Sequence, residues 1–414
     1  MAFPALAPLP VVPDNVKAAR QQVQTSDFFA LCYLMLCQLA YADEDNATKA
    51  VQQIIDLLPT MPVPDGNVKG KWNLGWGPVA SPDNSNLLYA AEFLDQDSGL
   101  PVFAAVAIRG TDTQAQPSGV LKQIIEDLDA EHQVVFPDNN NFGSRIAHGT
   151  STGLSVLTAF KDKTGRTVDQ YVNDFVAANP RTPVVVTGHS LGGCQTTVLA
   201  SYLSAKVPAG TSIVPNSFAA PTAGNSAFIQ FYERTFPFCP RWFNPFDLVP
   251  MAFAGLGGIG QLWNQCNRPA PGIFKTVIDA FEILLKLLHA SYSQQSSAES
   301  RQLIAACQPP ARQAVAAAIQ NAAVAEIQTL LQGAVKKLQH DISQLPIVGG
   351  VAAHTLSFNV SAASFNNIGD WVQELLFQHL VLTGYWNAVH DFANVAHIPN
   401  PFDQAQAAAA GNGH

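Results

Sequence analysis

The feature that most constrains the fold is an abrupt change from strand to helix near the middle of the chain. Residues 182–188, TPVVVTG, are an apolar β-branched run typical of a buried strand, and residues 194–205 follow a helical pattern. The pentapeptide Gly188-His189-Ser190-Leu191-Gly192 joins them. A turn this sharp leaves no room for a side chain at either glycine. The pattern therefore predicts a strained turn that lifts Ser190 above the end of a strand.

Alternating strand and helix patterns extend on both sides of this turn. The predicted strands cover 87–94, 101–108, 132–136, 182–188, 211–221 and 242–250, and the predicted helices cover 28–42, 47–58, 151–161, 166–178, 194–205 and 225–236. The strands 87–94 and 101–108, separated by DQDSG, are predicted to form a hairpin. Residues 59–85, rich in Gly, Pro and Asn, are predicted to be a loop. The alternation predicts an α/β protein with a mainly parallel central sheet and helices on both faces.

The character of the chain changes after Pro250. A Gly- and Pro-rich loop precedes residues 273–292, where the charged and polar residues form one narrow stripe on a helix. A second long helical pattern covers 311–343. We interpret 251–350 as a large helical insertion, and 1–250 with 351–414 as the core domain.

Charge and hydropathy exclude two classes of protein. The net charge is −9 and no basic run occurs, so a nucleic-acid partner is not expected. No stretch of about 18 uncharged apolar residues is present, so no membrane-spanning helix is predicted. Residues 1–15 lack the basic start of a secretory signal, which leaves secreted and cytoplasmic locations both open.

The six cysteines do not follow a metal-binding pattern. Cys32 and Cys37 fall on different faces of one predicted helix and should not form a disulfide. Cys239 and Cys266 flank a loop and could pair, but their spacing does not decide it, and the cysteines are interpreted as mostly free, buried thiols. The acidic residues 43–45 are interpreted as a solvated helix start rather than a calcium site, and neither a cofactor nor a metal is implied.

The serine at the sharp turn is a candidate nucleophile. A serine hydroxyl is weakly nucleophilic at neutral pH and needs a histidine base, which in turn needs an acid to orient it. On α/β-hydrolase folds these groups occur in the chain order Ser, Asp or Glu, His. Asp247, in the sequence NPFDLVP, follows the next strands at a probable strand end and is the candidate acid.

Several histidines follow Asp247 in the chain. His379 lies in the apolar sequence ELLFQHLVLTGYW, where a buried imidazole needs a partner, and it is the preferred candidate base. His390 and His354 remain alternatives. His289 and His340 accompany other charged residues of the insertion and are interpreted as solvated.

An oxyanion hole requires two hydrogen-bond donors. The backbone N–H of Leu191, next to the candidate nucleophile, supplies one. The loop after the strand 101–108 supplies the other, where Gly110 permits close backbone approach and Thr111 offers an N–H and a hydroxyl.

Further motifs occur in a consistent order along the chain. They are AYA at 40–42, IRGT at 108–111, EDL at 126–128, HG at 148–149, VTGHSLGG at 186–193, FAAPTAGN at 218–225 and NPFDLVP at 244–250. Residues 27–250 thereby resemble the class 3 lipases, also called the fungal-type triacylglycerol lipases, of the α/β-hydrolase superfamily.

The resemblance implies Ser190 as nucleophile, Asp247 as acid, and Thr111 with Leu191 as oxyanion donors. It implies a histidine followed closely by tyrosine, which His379 with Tyr385 matches across a somewhat longer gap, and the spacing from Asp247 to His379 is also longer than in the small fungal members. It also implies a lid helix, for which 113–126 and 273–292 are both candidates.

We therefore expect a serine carboxylic-ester hydrolase acting through an acyl-enzyme, with acylglycerols as the lipid ester substrate and transient contact with a lipid–water interface. Phospholipase or short-chain esterase activity on the same residues, or a catalytically silent lipid-binding scaffold, are the alternatives. The oligomeric state is not determined by the sequence.

Overall fold

A seven-stranded sheet lies at the centre of the protein. The computed structural model describes residues 11–42, 46–64, 69–110, 130, 132–137, 143–296, 298–304, 307, 332–333, 336–337, 340, 368–392 and 395–398. Within these ranges the strand order is β1-β2-β3-β6-β7-β8-β9. The strands are β1 (Gly70–Ala80), β2 (Leu87–Asp95), β3 (Pro101–Ile108), β6 (Val184–His189), β7 (Ile213–Phe218), β8 (Arg241–Phe243) and β9 (Ser300–Gln302).

The first three strands form an antiparallel meander at one edge. The predicted hairpin of β2 and β3 is confirmed, but the predicted loop at 59–85 is wrong, because β1 occupies eleven of its residues. Trp72 and Trp76 are buried and anchor this strand. The residues that indicated a loop lie where the pairing of β1 with β2 shifts register, between Leu74 and Val79. An edge strand can absorb Gly and Pro at such irregularities.

From β3 onward the sheet is parallel. The predicted helices in this part of the chain are confirmed. They are α4 (His148–Ala159) and α5 (Val168–Ala178) before β6, α6 (Leu191–Lys206) between β6 and β7, and α7 (Ser226–Thr235) between β7 and β8. The last strand, β9, lies within the range 251–350 that we interpreted as a helical insertion, so this range contributes an edge strand to the sheet. A separate two-stranded ribbon pairs β4 (Gln133–Val135) with β5 (Arg145–Ala147).

Helices cover both faces of the sheet. On one side lie α1 (Asp14–Thr25), α2 (Ala30–Leu39) and α3 (Ala47–Leu57), and on the other lie α4 to α7. Strand β3 shows why both faces are buried: Ala105 and Ala107 contact the first layer, whereas Ala104 and Val106 contact the second. Nine of the ten residues of α2 are buried, as its all-round apolar sequence predicts. Helix α1 lies in a polar stretch to which the sequence assigned no element.

The segment after β8 packs as a third apolar unit. It contains the short helix α8 (Leu256–Ile259) and α9 (Gly272–Leu287), and it contacts α10 (Ile368–His379). Trp263 and Phe274 both contact Trp371 of α10, with ring centroids 5.0 and 4.2 Å apart. A π-helical turn (Val381–Tyr385) and α11 (Trp386–His390) follow and return to the α2 side of the sheet. Most of the predicted helix 311–343 lies outside the described residues.

The disulfide in this segment joins Cys266 to Cys307. The suggested Cys239–Cys266 pair is therefore wrong: Cys239 is a buried free thiol, as are Cys32, Cys37 and Cys194. The loop position of Cys266 does not indicate which cysteine it pairs with. The fold brings Cys307 to a Cα–Cα distance of 5.6 Å from Cys266, which is suitable for a disulfide. In the part of the chain that the structure describes, no helix is long and apolar enough to cross a membrane.

Candidate active site

Ser190 lies at the sharp turn between β6 and α6. Its backbone has φ 59° and ψ −129°, a conformation that non-glycine residues rarely adopt. A Cβ atom at Gly188 would lie 2.2 Å from the carbonyl oxygen of Gly192, and one at Gly192 would lie 2.5 Å from the carbonyl oxygen of Ile108. The predicted steric need for both glycines is therefore confirmed. The turn directs the Ser190 side chain to the end of the sheet where α6 begins.

The fold brings Ser190, His379 and Asp247 together although they are far apart in the sequence. His379 Nε2 lies 2.9 Å from Ser190 Oγ, and His379 Nδ1 lies 2.8 Å from Asp247 Oδ2. All three residues are buried. A carboxylate only accepts, so Nδ1 carries the proton and Nε2 presents its lone pair to the serine hydroxyl. This is the tautomer that a general base toward Ser190 requires.

The second carboxylate oxygen of Asp247 is also held. Oδ1 accepts a hydrogen bond from the backbone N–H of Val249 at 3.0 Å, and Oδ2 accepts from the hydroxyl of Tyr385 at 2.8 Å. Burial, reinforced by the nearby charge of Asp247, raises the pKa of Tyr385 well above its usual value. Tyr385 therefore stays protonated and serves as a donor, which fixes Asp247 facing His379.

A buried cation lies behind this carboxylate. Arg241, on β8, donates to the carbonyl oxygen of Pro250 at 2.8 Å. Burial lowers the pKa of Arg241 to about 10, although the nearby charge of Asp247 acts in the opposite direction. The guanidinium remains charged at neutral pH and holds the end of the turn that carries Asp247.

The histidine next to Ser190 contacts the backbone of the candidate base. His189 Nε2 donates to the carbonyl oxygen of His379 at 2.8 Å, so Nδ1 accepts from the hydroxyl of Tyr41 at 3.1 Å. Burial, followed by the proximity of His379, lowers the pKa of His189 well below its usual value. His189 is therefore a neutral positioning group and not a second base.

The expected oxyanion side is described only in part. Leu191 is the first residue of α6, so its N–H lies at a helix N-terminus where amide hydrogens favour negative charge. A Cβ at Gly110 would lie 2.4 Å from both the His189 carbonyl oxygen and the Tyr41 hydroxyl, which explains a glycine there. Thr111, the candidate second donor, lies outside the described residues, as does the candidate lid 113–126.

The alternative histidines have other surroundings. His390 contacts Asp391 at 3.0 Å and faces His397, so it belongs to a different cluster from Ser190. His354 lies outside the described residues. His289 is exposed in the turn after α9. Among the described residues no group of three or more His, Cys, Asp or Glu side chains could hold a metal ion.

Sequence reasoning missed the groups that support Asp247 and His379 from behind. They are Arg241, Asn244, His189 and Gln378. One signal was available: Asn-Pro at 244–245 favours a turn, and Asn244 Oδ1 does accept from the N–H of Phe246 at 2.9 Å. His189 and Gln378 make their contacts across more than a hundred residues of sequence. Arg241 contacts the nearby Pro250. No local pattern indicates any of these three.

Comparison with known proteins adds to this geometry. Residues 105–256 match the family described as Lipase (class 3). The crystal structure of M37 lipase is 22% identical and superposes with a TM-score of 0.56, covering 74% of this chain and 97% of that one. Lipase II from Rhizopus niveus is 16% identical with a TM-score of 0.38, covering 57% and 75%. The Rhizomucor miehei lipase propeptide complex is 16% identical with a TM-score of 0.37, covering 54% and 62%. None of the curated proteins matches the chain.

Proposed function

The chain carries a class 3 lipase region over residues 105–256 on an α/β-hydrolase fold, and from this premise we propose that the protein is a serine hydrolase of acylglycerols. Ser190 is the nucleophile, His379 the general base and then the general acid, and Asp247 the acid that orients the imidazole. The Leu191 N–H and Thr111 are the oxyanion donors. The substrate is a lipid ester, met transiently at a lipid–water interface.

In the first half of the reaction the Ser190 oxygen attacks the ester carbonyl carbon while its proton passes to His379 Nε2. The negative charge that develops on the carbonyl oxygen is stabilised by the oxyanion donors, and Asp247 stabilises the imidazolium. His379 then gives the proton to the leaving alcohol, which leaves an acyl group on Ser190. In the second half His379 takes a proton from water, the hydroxide attacks the acyl carbon, and the fatty acid leaves as Ser190 regains its proton.

One observation carries the proposal. It is the continuous chain of hydrogen bonds from Ser190 through His379 to Asp247, at 2.9 and 2.8 Å, on a strained turn at the start of a helix. A tight turn serving structure alone does not need a serine in this conformation, nor a buried histidine of the right tautomer beside it.

The two candidate lid segments differ in their support. The apolar side of α9, which lies in the candidate segment 273–292, is buried against Trp263 and Trp371. Opening that helix would expose this area to water at about 25 cal/mol per Å². We therefore propose that α9 is fixed packing, which leaves 113–126, outside the described residues, as the candidate lid. We keep 251–350 as an insertion into the core domain of 1–250 and 351–414, to whose sheet it contributes β9.

The test combines labelling with turnover. We expect a fluorophosphonate probe to add one adduct to the wild-type chain by intact mass and none to Ser190→Ala. The substitution should lower hydrolysis of p-nitrophenyl esters by roughly 10⁴-fold or more. Ser155→Ala, an exposed serine on α4, is the matched control and should behave as wild type.

Substrates of increasing chain length decide among the ester classes. Preference for emulsified triglycerides supports the lipase, whereas activity confined to soluble short-chain esters or to phospholipids would assign the same residues to an esterase or a phospholipase. A wild-type chain that takes no adduct and hydrolyses none of these would be a silent scaffold, and the proposal would be wrong.

A further inference from the structure

A row of buried polar side chains connects the insertion to the candidate base. Arg268, in the loop before α9, forms a buried ion pair with Glu374 of α10. Glu374 Oε1 accepts from Gln378 Nε2 at 2.6 Å, one turn along the helix. Gln378 Oε1 accepts from Asn244 Nδ2 at 2.6 Å. Gln378 immediately precedes His379, and Asn244 lies three residues before Asp247.

The direction of every hydrogen bond in this row follows from its charged end. A carboxylate only accepts, so Gln378 must present its amide nitrogen to Glu374 and its oxygen to Asn244. Asn244 must then present its nitrogen to Gln378, which leaves Asn244 Oδ1 to accept the N–H of Phe246. Flipping any one amide would place donor against donor, which is costly for buried groups.

The row ends on the two backbone segments that carry His379 and Asp247. Asn244 Nδ2 also donates to the backbone carbonyl of Gln378 at 3.1 Å, and the carbonyl of Asn244 accepts the N–H of Asp247 at 2.9 Å. The N–H of Asn244 donates to Tyr385, whose hydroxyl donates to Asp247. Asn244 therefore joins the end of α10 to the turn of Asp247.

The charged end of the row is fixed from the insertion. The indole N–H of Trp263 donates to the carbonyl of Phe246 at 2.7 Å, and the N–H of Arg268 donates to the carbonyl of Trp263 at 3.1 Å. The disulfide at Cys266 lies between these two residues. An ion pair this buried is weak support for stability, because desolvation offsets much of the attraction. Its position therefore requires another explanation.

We propose that Glu374, paired with Arg268, is a positioning residue for the hydrolytic reaction, acting through Gln378 and Asn244 to fix His379 against Asp247. The expected changes in kcat and KM rest on the proposed function. It assigns to the insertion a part in the reaction: its Arg268 holds the carboxylate of Glu374, and that carboxylate orients the amides behind the base.

The decisive variants remove the charge while keeping the volume. In Glu374→Gln the new amide nitrogen must face either Arg268 or the amide nitrogen of Gln378, so one contact becomes donor against donor. We expect kcat on a p-nitrophenyl ester to fall about 10- to 100-fold, because small displacements of a reacting group have effects of this size. KM should change less than about twofold, since the substrate contacts are untouched.

The double variant R268M/E374M separates positioning from packing. Replacing both charges by apolar side chains of similar volume leaves no buried charge unpaired, so the melting temperature should fall less than in Glu374→Gln. The amide of Gln378 then loses its acceptor, so kcat should still fall as in Glu374→Gln. The control is Asp27→Asn, which removes another partly buried ion pair, Arg301 with Asp27 at 2.7 Å. It should lower the melting temperature and leave kcat unchanged.

A spectroscopic measurement decides the proposal without turnover. The proton on His379 Nδ1, bonded to Asp247, should give a low-field ¹H NMR resonance that disappears in His379→Gln. We expect this resonance to shift or broaden in Glu374→Gln and in R268M/E374M, and to be unchanged in Asp27→Asn. If wild-type protein shows no Ser190-dependent turnover, the proposed function fails while the resonance still tests the positioning.

The proposal is overturned if the Glu374 variants keep both the wild-type kcat and the wild-type resonance while their melting temperatures change. It is also overturned if Asp27→Asn perturbs the resonance to the same extent, because a general loss of stability would then explain the effect.

Discussion

The two sides of the candidate site are built in different ways. The nucleophile side comes from one continuous segment, β6 followed by α6, whose turn is confined by its own glycines and by the neighbouring strand β3 at Ile108. The acid–base side is assembled from three segments: the turn after β8, the loop 263–268, and, more than a hundred residues later, the end of α10 with the π-helical turn. The comparison teaches that a site of three residues can depend on local sterics for one and on long-range hydrogen bonds for the other two.

This difference has an energetic consequence. The geometry of the nucleophile side is imposed by backbone contacts within the strand-to-helix turn and with the adjacent strand β3. The acid–base side requires closing loops of more than a hundred residues, and only tertiary contacts offset that entropy. We therefore expect the acid–base side to be the more sensitive to substitutions remote from the reacting atoms.

The largest expected effect is on the acid–base side itself. Asp247→Asn keeps the shape but gives His379 the wrong tautomer, because the amide can donate to Nδ1. We expect kcat to fall about 10⁴-fold, a barrier increase of roughly 5.5 kcal/mol. Steady-state kinetics with a circular-dichroism melt measures it. A loss below tenfold would show that the carboxylate does not orient the base.

The second effect is that removing the disulfide should loosen the acid–base side and leave the nucleophile side unchanged. Cys266 and Cys307 are 41 positions apart, and closing a loop of that length stabilises the folded chain by about 4 kcal/mol. In C266A/C307A we expect hydrogen exchange to accelerate in 256–287 and 368–379 while α6 keeps its protection. Cys32→Ala, which changes a free buried thiol on α2, is the control and should not accelerate exchange in 256–287 or 368–379. Uniform acceleration in α6 would contradict the distinction between the two sides.

The third effect is an added side chain at the turn of the nucleophile side. In Gly192→Ala the new Cβ would lie 2.5 Å from the Ile108 carbonyl oxygen. Overpacking of this kind costs up to about 3 kcal/mol, measured by urea unfolding. Gly260→Ala is the matched control, because no atom lies within 4 Å of its added Cβ. Equal stability of the two variants would mean that the turn accommodates a side chain.

The smallest effect is a pH dependence of stability from His189. Its pKa is lowered in the folded protein by burial, so the unfolded chain binds the extra proton and folding weakens as pH falls through about 6.5. The stability is fully present above that pH, and the loss on reaching pH 5 is on the order of 2 kcal/mol. His189→Gln should flatten this acid limb in urea titrations, whereas His390→Gln should not. An unchanged limb in His189→Gln would show that the imidazole is already charged in the fold.

Much of the architecture could be predicted from the sequence because its signals are local. The apolar run of α2, the β2–β3 hairpin and the β6–α6 turn each declare themselves within about twenty residues. The errors occurred where a local signal competes with a distant partner. The glycines and proline of β1 indicate a loop, but the burial of Trp72 and Trp76 holds this segment as a strand at the sheet edge. No local pattern around Cys266 identifies Cys307 as its partner.

The sequence by itself determined that Ser190 would project from a strained turn, because two glycines and a strand-to-helix change leave the backbone no other conformation. It narrowed the base to a few histidines and favoured His379 by its apolar neighbours and by the resemblance that places Tyr385 a few residues after it. The tertiary structure alone decided that His379 meets both Ser190 and Asp247, that Tyr385 returns to the carboxylate, and that Glu374 directs the amides behind them. These contacts depend on which distant segments pack together, and packing is a property of the whole core rather than of any window of sequence.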